Sequence, residues 1–293
     1  MSIRVSVLIP YFNAAATIHE TLASVPDRDW VEVIICDDAS DDPASVKAFD
    51  ELEAPWGKTT LKKARRTVNS GPGPALNSAA ELMDPASEYL IELDADDQLL
   101  PGALEDLVTA MDRDPSLDLA WGNLVTFGLQ EGKRRYGAFF DPWLCLYKNP
   151  LPCCTMMRRS SWERAGGWRV AFPGIQDWGM WLAMAEIGAR GRNIGRDVLR
   201  YRVSEQGLHL RTRAVLAERR EATLSHFAEL VASEARLRRK SRCNPLLRFL
   251  LPRTERLPVS SFRRSRLAAL LLAGLWAHDW PTAYSRLREL IRG

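Results

Sequence analysis

A chain of 293 residues is long enough for one large core, or for a core with a small appended domain. Its 46% apolar and 26% charged residues exclude a disordered or fibrous chain. A net charge of +3 is too weak to argue for nucleic acid, and no such partner is expected. The five cysteines, Cys36, Cys145, Cys153, Cys154 and Cys243, form no C-x-x-C pair, which fits free thiols in a reducing compartment. The vicinal Cys153-Cys154 pair lies in an apolar stretch and is expected to be buried and structural; the alternative is a metal or redox element.

In chain order, the N-terminus runs straight into a strand pattern, without a basic start, an apolar core and a cleavage site. The longest apolar run, 267–277, is too short for a span of about 20 residues. The expectation is therefore a cytoplasmic protein. Residues 5–10 form a β-rich run, and Asn13 is placed to cap a helix over 14–24. Residues 31–36 make a second strand ending in Asp37-Asp38, and Pro43 sits where a helix can start. A weaker strand is expected at 61–68, a helix at 74–83, a strand at 89–93 and a helix at 102–111. Alternation of this kind predicts a mostly parallel sheet with helices on both faces. Ligands bind such sheets beyond the carboxyl ends of the strands. Both acidic clusters, Asp37-Asp38 and Asp94-Ala95-Asp96-Asp97, lie at those ends and are expected to share one crevice.

The second cluster puts three carboxylates within four residues, which repel one another unless a cation sits there. All-oxygen ligands favour Mg²⁺ or Mn²⁺, which keep open positions for phosphate oxygens. The alternative is a solvated acidic turn. Beyond residue 115 strands are expected at 117–127, 133–140 and 193–203, with an aromatic-rich loop at 142–152. A short helix capped by Ser160 should end at Gly166-Gly167, and another should start at Asp177. Residues 213–240 read as charged helix. From Ser241 onward ten arginines stand against three acids, with amphipathic helices expected at 263–277 and 282–292. That segment reads either as a cationic surface for anionic lipid or a polyanionic acceptor, or as a hairpin packed on the main domain.

Several of these elements together resemble a family 2 glycosyltransferase of the GT-A fold, an α/β architecture. Residues 7–13 resemble the family's opening strand and P-x-Y/F-N turn, and residues 33–40 its second strand with a D-D-x-S ending. Asn69-Ser70-Gly71 and Pro74-Ala75-Leu76-Asn77 resemble its N-x-G…A-R-N segment. Residues 93–97 resemble its D-x-D-D metal motif, and Gln176-Asp177-Trp178 falls where E-D is usual. Leu76 stands in place of Arg, and Gln176 in place of Glu. There is no Q-x-x-R-W motif, which processive members carry with membrane helices, so addition of one or a few sugars is expected.

The resemblance covers roughly 3–211 and implies a GT-A catalytic domain at 1–211, followed by an Arg-rich helical extension at 212–293. Within the domain, about 1–112 would bind the nucleotide and about 113–211 the acceptor. The implied activity is an inverting, metal-dependent, hexosyltransferase-type transfer from a nucleotide-diphospho-sugar, UDP-sugars first, to a hydroxyl of a glycan or lipid-linked acceptor. The expected setting is cell-envelope or exopolysaccharide synthesis at the inner face of the membrane. The alternative is a non-catalytic nucleotide-sugar or glycan-binding protein of the same fold.

The resemblance also implies residue roles. Asp96 is expected to ligate the metal, with His209 as a further candidate; Asp94 would touch the nucleotide side, and Asp97 would support the site. Asp38 would accept the base's ring N–H, with Pro10, Phe12 and Asn13 shaping that pocket. Asn77 and Ala95 complete the donor set. Asp177 is the candidate general base, with a helix cap as its alternative. Trp178, Gln176 and Arg211 are candidates for the acceptor or the diphosphate.

Overall fold

The computed structural model describes residues 2–169, 174–205 and 216–254. His209, Arg211 and the helices expected at 263–277 and 282–292 lie outside the described residues. Among those described are nine strands: β1 Val5–Tyr11, β2 Val31–Asp37, β3 Thr60–Arg65, β4 Tyr89–Glu92, β5 Gln98–Leu99, β6 Leu119–Gly128, β7 Gly132–Arg134, β8 Met156–Arg158 and β9 Gly191–Val203. Seven helices precede or interleave with them: α1 Ile18–Ser24, α2 Pro43–Asp50, α3 Pro72–Ala80, α4 Ala103–Arg113, α5 Pro142–Cys145, α6 Arg159–Ala165 and α7 Gln176–Glu186. Four more follow: α8 Leu216–His226, α9 Ala228–Ala232, α10 Glu234–Lys240 and α11 Pro245–Thr254. No helix among the described residues is long and apolar enough to cross a membrane.

All nine strands join one sheet, in the order β3-β2-β1-β4-β8-β6-β9-β5, with β7 beside β6. The pairs β3/β2, β2/β1, β1/β4 and β6/β9 are parallel; β4/β8 and β8/β6 are antiparallel. This is the mixed, mostly parallel α/β sheet that the alternation of elements implied. β1 and β2 are buried on both sides, which is why they read as unbroken apolar runs. Side-chain alternation along β1 sorts the core into two faces. Val5, Val7 and Ile9 meet Leu22, Phe49 and Leu107 on one. Leu8 joins Leu76, Trp143 and Trp181 on the other.

The chain moves outward from β1 to β2 to β3, then returns to the far side of β1 as β4. That reversal opens a crevice above the carboxyl ends of β1, β2 and β4. Pro10 is tolerated inside β1 because the β1/β4 ladder ends at Leu8 opposite Glu92, so its absent N–H costs no ladder bond on that side.

Local details differ from the sequence reading. Asn13 caps no helix: its φ is +50° and α1 begins only at Ile18. The Asn13 amide instead donates to Asp41 Oδ1 at 2.6 Å and accepts from the Asp41 and Asp42 amides, tying the end of β1 to the loop before α2. Asp42 caps α2, so neither Asp37 nor Asp38 is needed there. Ser160 lies inside α6, whose cap position is Arg158, while Gly166 closes that helix in the left-handed region. Of the strand expected at 133–140 only Lys133 and Arg134 fall in β7, and Phe139 bridges singly to Arg192.

The described C-terminal helices belong to the same core. Phe227, Leu230, Leu247 and Leu251 pack with the Trp181 cluster. Asp141 Oδ2 accepts from Ser241 Oγ and the Arg242 amide, and Glu234 accepts from Trp143 Nε1 at 2.7 Å. Phe227 is 1% exposed, so Phe227→Ala should cost about 3–5 kcal/mol of unfolding free energy. Chemical denaturation checks this; a loss below about 1 kcal/mol would mean that α8 and α9 dock too loosely to carry core packing.

Candidate functional site

The site is built where β4 runs out. Glu92, the last residue of β4, is 1% exposed, and the chain then turns through Asp94-Ala95-Asp96-Asp97 into β5. The Asp97 amide donates to the Asp94 carbonyl at 3.1 Å, which makes a tight turn. Thr17 Oγ1 holds the Ala95 carbonyl at 2.8 Å. Arg202, on β9, clamps the other side: its amide donates to Asp97 Oδ1 at 2.7 Å, its Nε donates to the Asp96 carbonyl at 3.0 Å, and its guanidinium reaches Glu20. The short β5/β9 pairing brings Arg202 here, and no spacing in the sequence signalled it.

From across the crevice α7 adds two residues. Gln176 Nε2 donates to Glu92 Oε1 over a long 3.4 Å, and Gln176 Oε1 accepts from the Gly174 amide. A glutamate at 176 would set two buried carboxylates against each other, so the amide follows from a buried Glu92. Asp177 sits in the first turn of α7, where the helix dipole favours a negative charge. It is not the cap, a position held by Ile175. Its Oδ1 accepts from the Trp178 amide at 2.8 Å and its Oδ2 from Asn149 Nδ2 at 2.6 Å.

The electrostatics follow from burying like charges together. Burial, then the charges of Asp96 and Asp177, push Asp94 up to about 7. Burial, then Asp94 and Asp96, raise Asp97 well above the usual carboxylate range. Burial, then Asp94 and Asp177, do the same to Glu92. Asp96 and Asp177 are raised chiefly by burial. Two oxygens, Glu92 Oε2 and Asp97 Oδ2, are buried without a hydrogen-bond partner. Such atoms are costly unless a cation or a proton meets them.

That donor set fits a divalent ion. One oxygen from each of Asp94 and Asp97, together with Cys153 Sγ, lie within 4.8 Å of one another. Asp96, the ligand expected from the sequence, lies outside this trio. The turn puts residues 94 and 97 together, and it leaves Asp96 as the residue whose carbonyl Arg202 holds. Tyr136 and Tyr201 are near enough to feel the charges of Cys153 and Asp97. Glu92, Asn149, Arg202, Tyr136 and Tyr201 are site neighbours that sequence reasoning missed, whereas Cys153 stood there as the metal or redox alternative. Among the missed residues only Glu92 had a readable signal, as a charge inside an apolar strand.

On the nucleotide side Asp38 is buried at the end of β2. Its oxygens accept from the Ser70 amide and from the Gly71 amide at 2.6 Å and form an ion pair with Arg66 Nε at 3.0 Å, yet burial still raises its pKa. Gly71 is at φ +91°, a conformation a side chain would strain, and opens α3. Arg66 also donates to the Pro74 carbonyl and to Ser78, so a cation stands by α3 although Leu76 is core. Phe12 is 39% exposed beside Asn13. Asn77 spends its amide on the Trp168 backbone, accepting at 3.0 Å and donating at 2.9 Å, and so fixes the loop before α7.

Trp178 is a correction to the acceptor set. It is 4% exposed, donates Nε1 to the Cys145 carbonyl at 2.7 Å and lies under the Arg220 guanidinium, because α7 turns that face into the core. Cys153 and Cys154 are buried, as expected of the pair, and Cys153 also borders the acidic turn.

The raised Asp94 gives a signed prediction for the metal-free protein. The native state holds this proton up to about pH 7, whereas the ordinary value for an aspartate is 3.8. Native protein therefore binds more protons than unfolded chain across that window, and stability falls as pH rises through it. In chelator, Asp94→Asn should gain stability relative to wild type between about pH 4 and 7. Denaturation across that range checks this; a constant difference would mean that Asp94 ionises as it does in the unfolded chain.

The sequence matches the model of glycosyl transferase family 2 over residues 6–166, more than half of the chain. A curated relative, the uncharacterized protein MT1568 of Mycobacterium tuberculosis (strain CDC 1551 / Oshkosh), is 29% identical over 206 residues, which span 61% of this chain and 61% of that protein. Among solved structures, residues 1–349 of Staphylococcus aureus TarS superpose with a TM-score of 0.60 at 17% identity, covering 93% of this chain and 81% of that one. The same fragment in complex with UDP-GlcNAc gives 0.58 at 17%, with the same coverage. The mannosyltransferase PcManGT of Pyrobaculum calidifontis, in complex with GDP-Man and Mn²⁺, gives 0.57 at 21%, covering 99% and 86%. At these identities the structural likeness concerns the fold alone. The family match, over the strands and turns that carry Asp38 and the acidic turn, is what assigns the chain: it belongs to glycosyl transferase family 2.

Proposed function

We propose that this protein is an inverting, metal-dependent glycosyltransferase. It moves a sugar from a nucleotide-diphospho-sugar, a UDP-sugar first, to a hydroxyl of a glycan or glycolipid. The observation that carries this reading is the set of buried carboxylates at the end of β4, with partnerless oxygens on Glu92 and Asp97, facing Asp177 at the start of α7. The known neighbours lend support: TarS has been seen with UDP-GlcNAc and with UDP, and PcManGT with GDP-Man and Mn²⁺.

The roles divide by position. Asp38 accepts the base N–H in place of its longer bonds to the Ser70 amide, and Pro10, Phe12 and Asn13 shape the pocket rim. Asp94, Asp96 and Asp97 would hold Mn²⁺ or Mg²⁺. When bound, the ion acts as a Lewis acid toward charge that develops on the leaving diphosphate. Asp177 takes the proton of the attacking hydroxyl. Burial raises its basicity, while Asn149 and the Trp178 amide keep it oriented. With a single base opposite the leaving group, the acceptor oxygen bonds the anomeric carbon as the diphosphate leaves and the base takes the proton, so the carbon is inverted with no sugar–enzyme bond. We assign the acceptor side to the half of the chain that carries Asn149 and α7.

A thermal-shift panel of nucleotide diphosphates and nucleotide sugars, each with Mn²⁺, Mg²⁺ or chelator, tests the donor site. Saturation at a hundredfold excess over Kd adds about 2.7 kcal/mol of stability. A metal-dependent shift with one nucleotide family is the expected result, and no shift with any of them would sink the reading. Asp177→Asn should keep that shift and lose about 10²–10⁴ in transfer rate. Full activity in Asp177→Asn would remove it as base. Asp96→Ala should abolish the Mn²⁺-dependent shift, and an unchanged shift would take Asp96 out of the metal site.

A further inference from the structure

We propose that Cys153 is a protein ligand of the cation site, completing Asp94 and Asp97 with a sulfur and biasing the site toward thiophilic divalent ions such as Co²⁺, Zn²⁺ and Cd²⁺. The inference rests on the metal-dependent reading above and deepens it, by assigning the residue that selects among ions.

Geometry comes first. Cys153 Sγ and one oxygen from each of Asp94 and Asp97 are mutually within 4.8 Å. An ion with bonds of about 2.3 Å to sulfur and 2.1 Å to oxygen at tetrahedral angles holds such atoms about 3.6 Å apart. The trio therefore has to close by at most roughly an ångström, within the reach of side-chain rotation. Its backbone is held on each side. The Thr155 amide donates to the Cys153 carbonyl at 2.7 Å, and Thr155 Oγ1 donates to the Pro152 carbonyl at 2.8 Å. Residues 94–97 are held by Thr17 and Arg202.

An independent observation points to a ligand there. Asp97 is 0% exposed, Arg202 takes its Oδ1, and its Oδ2 has no partner. That leaves a fully buried, unpaired acceptor on a residue of the trio. Cys153 is 9% exposed and belongs to the trio, whereas Cys154 is fully buried and outside it.

The chemistry then sets the preference. Carboxylates suit Mg²⁺ and Mn²⁺, and a thiolate in the set shifts the site toward cobalt, zinc and cadmium. Without a cation, burial and the neighbouring carboxylates hold the Cys153 thiol protonated. As the sulfur–metal bond forms, the S–H bond breaks heterolytically and its proton leaves to solvent, with no change of redox state.

The test uses the full chain, stripped with chelator and titrated with Co²⁺, and needs no nucleotide sugar. The expected result is a thiolate-to-cobalt charge-transfer band in the near ultraviolet for wild type and Cys154→Ser. Cys153→Ser should lose that band while keeping the weak visible cobalt bands. Cadmium affinity should fall about tenfold or more in Cys153→Ser. A visible cobalt spectrum without charge transfer in wild type, charge transfer surviving in Cys153→Ser, or no cobalt binding would each overturn the proposal. Should Cys153→Ser fold poorly by circular dichroism, thiol mapping of wild type replaces it. Cd²⁺ should then protect the Cys153 peptide from alkylation, and alkylation at an unchanged rate would reject the ligand. Nucleotide shifts with Mn²⁺ on the same preparation separate the two readings. A shift without charge transfer removes Cys153 alone, and charge transfer without a shift removes the donor reading alone.

Discussion

Everything around the crevice answers one constraint, the burial of several carboxylates within a few ångströms at the end of β4. In a medium that solvates charge poorly, such groups must gain partners, protons or a cation. The structure supplies partial answers only. Arg202 gives Asp97 an amide and holds the Asp96 carbonyl, Gln176 offers Glu92 a long bond, and Asn149 steadies Asp177. One oxygen on Asp97 and one on Glu92 are left over. A fold keeps such an arrangement only when its remaining packing outweighs the local cost, and this is how sites store electrostatic demand for a ligand.

The packing that offsets this cost is spread over both faces of the sheet. β1 and β2 are buried throughout, and their parallel register with β4 fixes where each acidic end appears. The loops above them are cross-tied by buried polar bonds. Asp37 holds Ser40 and Arg65, Asp38 holds the 70–71 amides and Arg66, and Asn13 ties β1 to the loop before α2. These carboxylates are largely satisfied, unlike those of the β4 turn. The contrast separates a side of the crevice organised by its own bonds from a side that leaves buried acceptors unpaired.

The described part of the C-terminal extension is a structural partner of the site. α9 and α11 add Leu230, Leu247 and Leu251 to the core face that holds α7, and Arg220 lies over Trp178. Helix α7, which delivers Gln176 and Asp177, is thus held between the sheet and these helices. Movement of the extension would be felt at Asp177 through that contact.

The sequence alone was enough for the α/β alternation, the two acidic strand ends and the family, because each is written locally. Strands β1 and β2 are contiguous apolar runs, and D-D-x-S and D-x-D-D are short motifs at the ends of β2 and β4. It also placed Asp177 at the start of a helix. What it did not contain was partnership over long separations. Arg202 meets Asp97 across 105 positions, Gln176 meets Glu92 across 84, and Asn149 meets Asp177 across 28. The swing of Trp178 into the core depends on which face of α7 the sheet covers, and an almost wholly apolar helix does not reveal that. The meeting of Asp94, Asp97 and Cys153 likewise follows from a tight turn and a strand order. Sequence fixes which charges are present; only the folded sheet decides which of them face one another, because burial and register are properties of the whole chain.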